Sequence, residues 1–70
     1  MNYGKNIKEA REYRGITQAE LAEKVGIARS TLAQLEIGAL VLTLPMAVAI
    51  AEALKVEIME LINGLNREAR

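Results

Sequence analysis

Apolar residues recur every three or four positions along most of this chain, and the breaks between those stretches predict five helices with no linker or repeat. Tyr3, Ile7 and Ala10 set the first, over roughly Tyr3 to Arg14, with Gly15 as its terminator. The second begins at Thr17, where Thr17-Gln18-Ala19-Glu20 fits a capping box, and buries Leu21, Ala22 and Val25. Gly26 suits a left-handed turn, Ile27 plugs the elbow, and a third helix from about Ala28 to Glu36 turns Leu32 and Leu35 inward. Gly38 closes it. A fourth helix, capped near Thr43 with Pro45 in its first turn, is expected to bury Leu44, Ala47, Ile50, Ala51 and Leu54. The fifth, Glu57 to Ile62, carries Val56, Ile58, Leu61 and Ile62 inward and ends at Asn63-Gly64. One domain over residues 1–64 and a frayed tail over 65–70 follow from this reading.

Seventy residues bury only about 60% of their unfolded surface, so a sizeable substrate pocket is hard to accommodate. With no Cys and no His, disulfides, thiol nucleophiles, the usual zinc sites and the commonest general base are absent. The chain therefore reads as a non-enzyme, with no cofactor, no metal and no small-molecule substrate. Tyr3 and Tyr13 are its only aromatic residues, which argues against a stacking platform for single-stranded nucleic acid. Nine basic and nine acidic residues cancel, a balance less basic than most nucleic-acid binders show. Lys5, Lys8, Arg11 and Arg14 nonetheless share the first helix as a basic side. The longest apolar run is too short to span a bilayer and is broken by Thr43 and Pro45, so no membrane partner is expected and a cytoplasmic location is the default.

Taken together, the block IKEAREYRGITQAELAEKVGI, small Ala22 where two helices cross, Gly26 in the turn, Leu32 and Leu35, the Glu36-x-Gly38 ending and AIAEALKV resemble the Cro and lambda-repressor-like helix-turn-helix family, also called the XRE family. The resemblance covers about Ile7 to Ile62 and implies an all-α, compact five-helix domain that binds double-stranded DNA. It implies that the third helix enters the major groove with Arg29, Ser30 and Gln34 toward base edges. Arg suits guanine O6 and N7, and Gln suits adenine N6 and N7. By composition alone the same positions read as a solvated helix face. The resemblance further implies phosphate contacts at the start of the second helix, with Gln18 and the capping Thr17 as candidates, and a partly buried ion pair between Arg11 and Glu36.

The chain departs from that family after Glu36. Relatives carry a polar, basic loop there that grips phosphate, whereas this chain has Ile37, Gly38, Ala39, Leu40, Val41 and Leu42. Losing two or three phosphate contacts would shrink the salt slope of binding by roughly 0.9 per contact. Ala28 also stands where a Ser or Thr cap is common, and such a loss costs about 1 kcal/mol. No charged residue occurs from Ile37 to Ala51. Ile37, Leu40, Val41, Leu42, Met46 and Ala49 exceed what one loop and one helix face bury in so small a domain, and are expected to form a homodimer or higher homo-oligomer interface. Two functions follow from these residues. The first is a self-associating DNA-binding module of the transcription-regulator class. The second is a structural assembly on the same scaffold, redesigned or diverged toward self-association, with DNA binding weakened or lost.

Overall fold

The computed structural model describes residues 3–63, which form five helices and no strand. The expected tail over 65–70 lies outside the described residues. Helix α1 spans Tyr3–Tyr13, α2 Gln18–Val25, α3 Arg29–Glu36, α4 Leu44–Leu54 and α5 Ile58–Asn63. The boundaries fall where local chemistry places them. Thr17 caps α2 through a complete capping box: its hydroxyl accepts from the Glu20 amide at 3.1 Å, and its own amide donates to the Glu20 carboxylate at 2.8 Å. Gly26 ends α2 in the left-handed region at φ 87°, a conformation a side chain would strain, and so turns the chain toward α3 within three residues.

The core gathers one stripe from every helix. Ile7, Leu21, Leu32, Ile50, Leu54 and Leu61 are its largest fully buried side chains, each worth roughly 1.5–3 kcal/mol of burial. Ile16, Val25, Ile27, Leu42, Met46, Val56 and Ile58 pack around them. α1 touches α3, α4 and α5, and α2 lies between α3 and α4. At one crossing the backbones meet directly: a Cβ on Gly4 would collide with the Leu35 and Glu36 carbonyl oxygens. The first turn of α1 thus rests on the last turn of α3, its amide end facing carbonyls.

The structure corrects three inward or outward assignments. Leu44, expected in the core, is 67% exposed, while Ala47, Ile50, Ala51 and Leu54 carry the buried face of α4. Leu42 and Met46, expected on a partner surface, instead pack against the core beneath that turn. Thr43 does occupy the α4 N-cap position in extended conformation, but its hydroxyl makes no capping bond, leaving Pro45 as the pre-shaped starter.

Candidate nucleic-acid interface

The α2–turn–α3 unit carries its polar surface on α3. Arg29, Ser30 and Gln34 are all exposed, while Leu32, Leu35 and Glu36 face inward. Ser30, Gln34 and Ile37 follow one another at i, i+4 and i+7, so they form a single stripe down the outside of the helix. Ala28 has the extended backbone of an N-cap residue but offers no side-chain hydrogen bond. The first amides of α3 therefore lack a side-chain partner from that position.

Behind the stripe sits a polar knot. Glu36, with its side chain only 1% exposed, accepts from Arg11 Nε at 2.8 Å and from a terminal guanidinium nitrogen of Arg11 at 3.2 Å. Gln18 Nε2 donates to the same carboxylate at 2.9 Å, and Arg11 reaches the Ile16 carbonyl at 2.9 Å. The hydrogen bond to Glu36 is the main reason the Arg11 pKa is pushed still higher; burial opposes it and the Glu36 charge adds to it. Arg11 is a fixed cation. The knot joins the end of α1, the start of α2 and the end of α3 at one point.

This bears directly on the residues expected at phosphate. Thr17 and Gln18 sit on a cleft of about 600 Å³ that Arg29 also lines, so the start of α2 and the start of α3 open onto one concavity. Gln18 uses one amide hydrogen on Glu36 and keeps the other, together with its Oε1. The Thr17 hydroxyl oxygen already accepts from Glu20, whose carboxylate answers the positive end of α2. Any anion there competes with Glu20.

The basic side of α1 is less available than its sequence suggests. Arg11 is buried in the knot, and Arg14 donates to the Leu54 and Lys55 carbonyls at 2.8 Å each, closing the end of α4. Lys5 pairs with Glu9 at 4.0 Å. Three structural roles escaped sequence reasoning: Arg14 at the α4 terminus, Gly4 at the α1–α3 contact, and Asn6, whose Nδ2 donates to the Leu61 carbonyl at 2.7 Å. Gly4 did carry a signal, since a glycine inside a helix costs up to about 1 kcal/mol unless close packing requires it.

Of the residues expected at a partner surface, Ile37, Leu40 and Val41 are exposed, Ala49 is half-buried, and Leu42 and Met46 turn inward. Leu44 and Val48 join the exposed set. No helix among the described residues is long and apolar enough to cross a membrane, and none of their His, Cys, Asp or Glu side chains cluster to hold a metal.

Comparison with known proteins agrees with this geometry. Residues 7–61 match the helix-turn-helix family. An uncharacterized HTH-type transcriptional regulator of Methanothermobacter thermautotrophicus is 46% identical over 54 residues, covering 77% of this chain and 78% of that protein. The crystal structure of the restriction-modification controller protein C.AhdI from Aeromonas hydrophila is similar with a TM-score of 0.82 and 32% sequence identity, over 86% of this chain and 91% of that one. The five-helix fold is thus shared with a solved relative, and the chain belongs to the XRE-type helix-turn-helix family of transcription regulators.

Proposed function

We propose that this chain is a DNA-binding module that reads duplex sequence in the cytoplasm and self-associates through apolar surface between residues 37 and 49. The observation that carries the DNA reading is the exposed stripe of α3. Arg29, Ser30 and Gln34 stand clear of the core on a helix about 12 Å long, which suits a major groove about 12 Å wide. Arg29 would meet guanine and Gln34 adenine, each good bidentate contact discriminating by roughly 1–3 kcal/mol. Thr17 and Gln18 would steady the backbone, Gln18 through its second amide hydrogen. The loop after α3 supplies no cation, so affinity rests on few phosphate contacts.

A salt titration with random-sequence duplex DNA tests this. Binding at low salt with a shallow slope, near −2 to −3 for two or three phosphate contacts, is the expected result. No binding at low salt overturns it, because the electrostatic part of affinity does not depend on knowing the operator. The exposed aliphatic residues favour one second reading, a structural assembly on the same scaffold. An oligomer that ignores DNA in the same titration would select it.

A further inference from the structure

The outward stripe of α3 has an apolar end. At 3.6 residues per turn, Ser30, Gln34 and Ile37 fall within about 60° of one another around the helix. Ile37 is the C-cap residue, yet its amide donates to the Ala33 carbonyl at 3.2 Å, the i→i−4 bond of an α-helix, so it keeps the register of the stripe. The chain leaves the axis one residue later, where Gly38 takes φ 82° and the Ala39 amide closes on the Gln34 carbonyl at 2.8 Å. Leu40 and Val41 lie beyond that turn and line a cavity of about 530 Å³ with Tyr3 and Gly4 of α1. What stands at the end of the stripe is one isoleucine, 78% exposed.

We propose that Ile37 is a specificity-determining residue that packs on the C5-methyl group of a thymine in the major groove. The inference rests on the DNA-reading role of α3 and names one base which that role selects. Base edges in the major groove present hydrogen-bonding groups, and thymine alone adds an apolar one. Ser30 and Gln34 answer the polar groups; Ile37, with no polar atom in its side chain, answers only the methyl. The spacing suits this division. Gln34 and Ile37 are three residues apart, roughly 4.5 Å along the axis against about 3.4 Å between successive base pairs, so the two side chains address neighbouring pairs. Contact takes apolar surface of both groups out of water, and one methyl so buried is worth about four-fold in affinity. Unlike a phosphate contact, it releases no counterions and leaves the salt slope unchanged.

The test uses the full chain and the duplex it enriches from a random-sequence library. Replacing the thymines of that duplex one at a time by deoxyuridine removes the methyl and keeps the base pairing. Fluorescence anisotropy should show one position where the parent loses about four-fold, beside the A·T pair that Gln34→Ala no longer distinguishes. Ile37→Ala changes an exposed side chain outside the core, and its helical circular dichroism should match the parent's. That variant should bind the thymine duplex about four-fold more weakly at every salt concentration, and bind the thymine and uracil forms equally at that position. A parent indifferent to every uracil replacement overturns the role of Ile37. So does an Ile37→Ala chain that still discriminates, because another residue then reads the methyl. An Ile37→Ala chain that loses self-association by light scattering and keeps its discrimination gives the side chain to a second copy instead. No enrichment, with no binding of random duplex at low salt, overturns the DNA reading of α3 itself, which separates that failure from the others.

Discussion

The corner where α1, α2 and α3 meet and the segment that follows α3 are adjacent in sequence and opposite in chemistry. At the corner, Arg11, Gln18 and Glu36 lock three helices with directional bonds of 2.8 to 3.2 Å. From Ile37 to Ala51 the chain has no charged group, and its position rests on shape, with Arg14 closing the far end of α4. Directional bonds fix a unique geometry and fail abruptly when one partner is removed. Aliphatic packing tolerates change, but it leaves open which side chains face out.

The largest test of that contrast is Glu36→Ala, which strands the buried Arg11 guanidinium and should cost about 3–5 kcal/mol. For a domain this size, thermal melts followed by circular dichroism should show a fall in Tm of at least about 12 °C. Arg11→Met combined with Glu36→Leu should recover most of the loss, since an apolar pair of similar volume is often neutral or better. Recovery of nothing would mean that Gln18 and Ile16 depend on the pair more than the helices do. The alkaline side offers a matching check. A raised Arg pKa gives stability that is complete below the unfolded value and lost only as pH climbs through the higher folded one. Melts between about pH 7 and 10 should show no loss from this pair.

Next in size is Gly4→Ala. The added methyl meets the Leu35 and Glu36 carbonyls and must push α1 off α3, an overpacking cost of about 1–3 kcal/mol by chemical denaturation. A neutral result would mean that α1 slides without disturbing the knot. Smallest is the contrast between the two caps of the helix-turn-helix. Thr17→Ala should lose about 1 kcal/mol, and Ala28→Ser, placed in the right backbone region with no side-chain cap at present, should gain about 0.5–1 kcal/mol. An Ala28→Ser chain no more stable than the parent would show that the first turn of α3 finds its partners in water.

The sequence was most legible where polar residues punctuate it. Thr17 with Glu20, Gly26 and Gly38 mark helix ends because each residue type performs a local task that needs no tertiary information. Arg11 and Glu36 stand 25 residues apart, and only a family resemblance pairs them. The phase of α4 was not legible for a plain physical reason. In Leu44-Pro45-Met46-Ala47-Val48-Ala49-Ile50-Ala51 no polar residue marks the outside, so several inward faces fit equally well. The conformation of residues 37–43 decides between them, bringing Leu42 under the helix and leaving Leu44 out. For Gln18 the resemblance points only to phosphate, and nothing in the sequence announces that its amide turns back to Glu36.

Helix α1 also governs the far end of the chain. Asn6 donates to the Leu61 and Ile62 carbonyls at 2.7 and 3.3 Å, and Arg14 holds the last carbonyls of α4. Six residues make a helix far too short to persist on its own, so α5 borrows its order from the first helix made. The two ends of the domain should open as one cooperative unit: amides of α5 and α1 would exchange with solvent at a shared rate, and trimming one terminus would loosen the other.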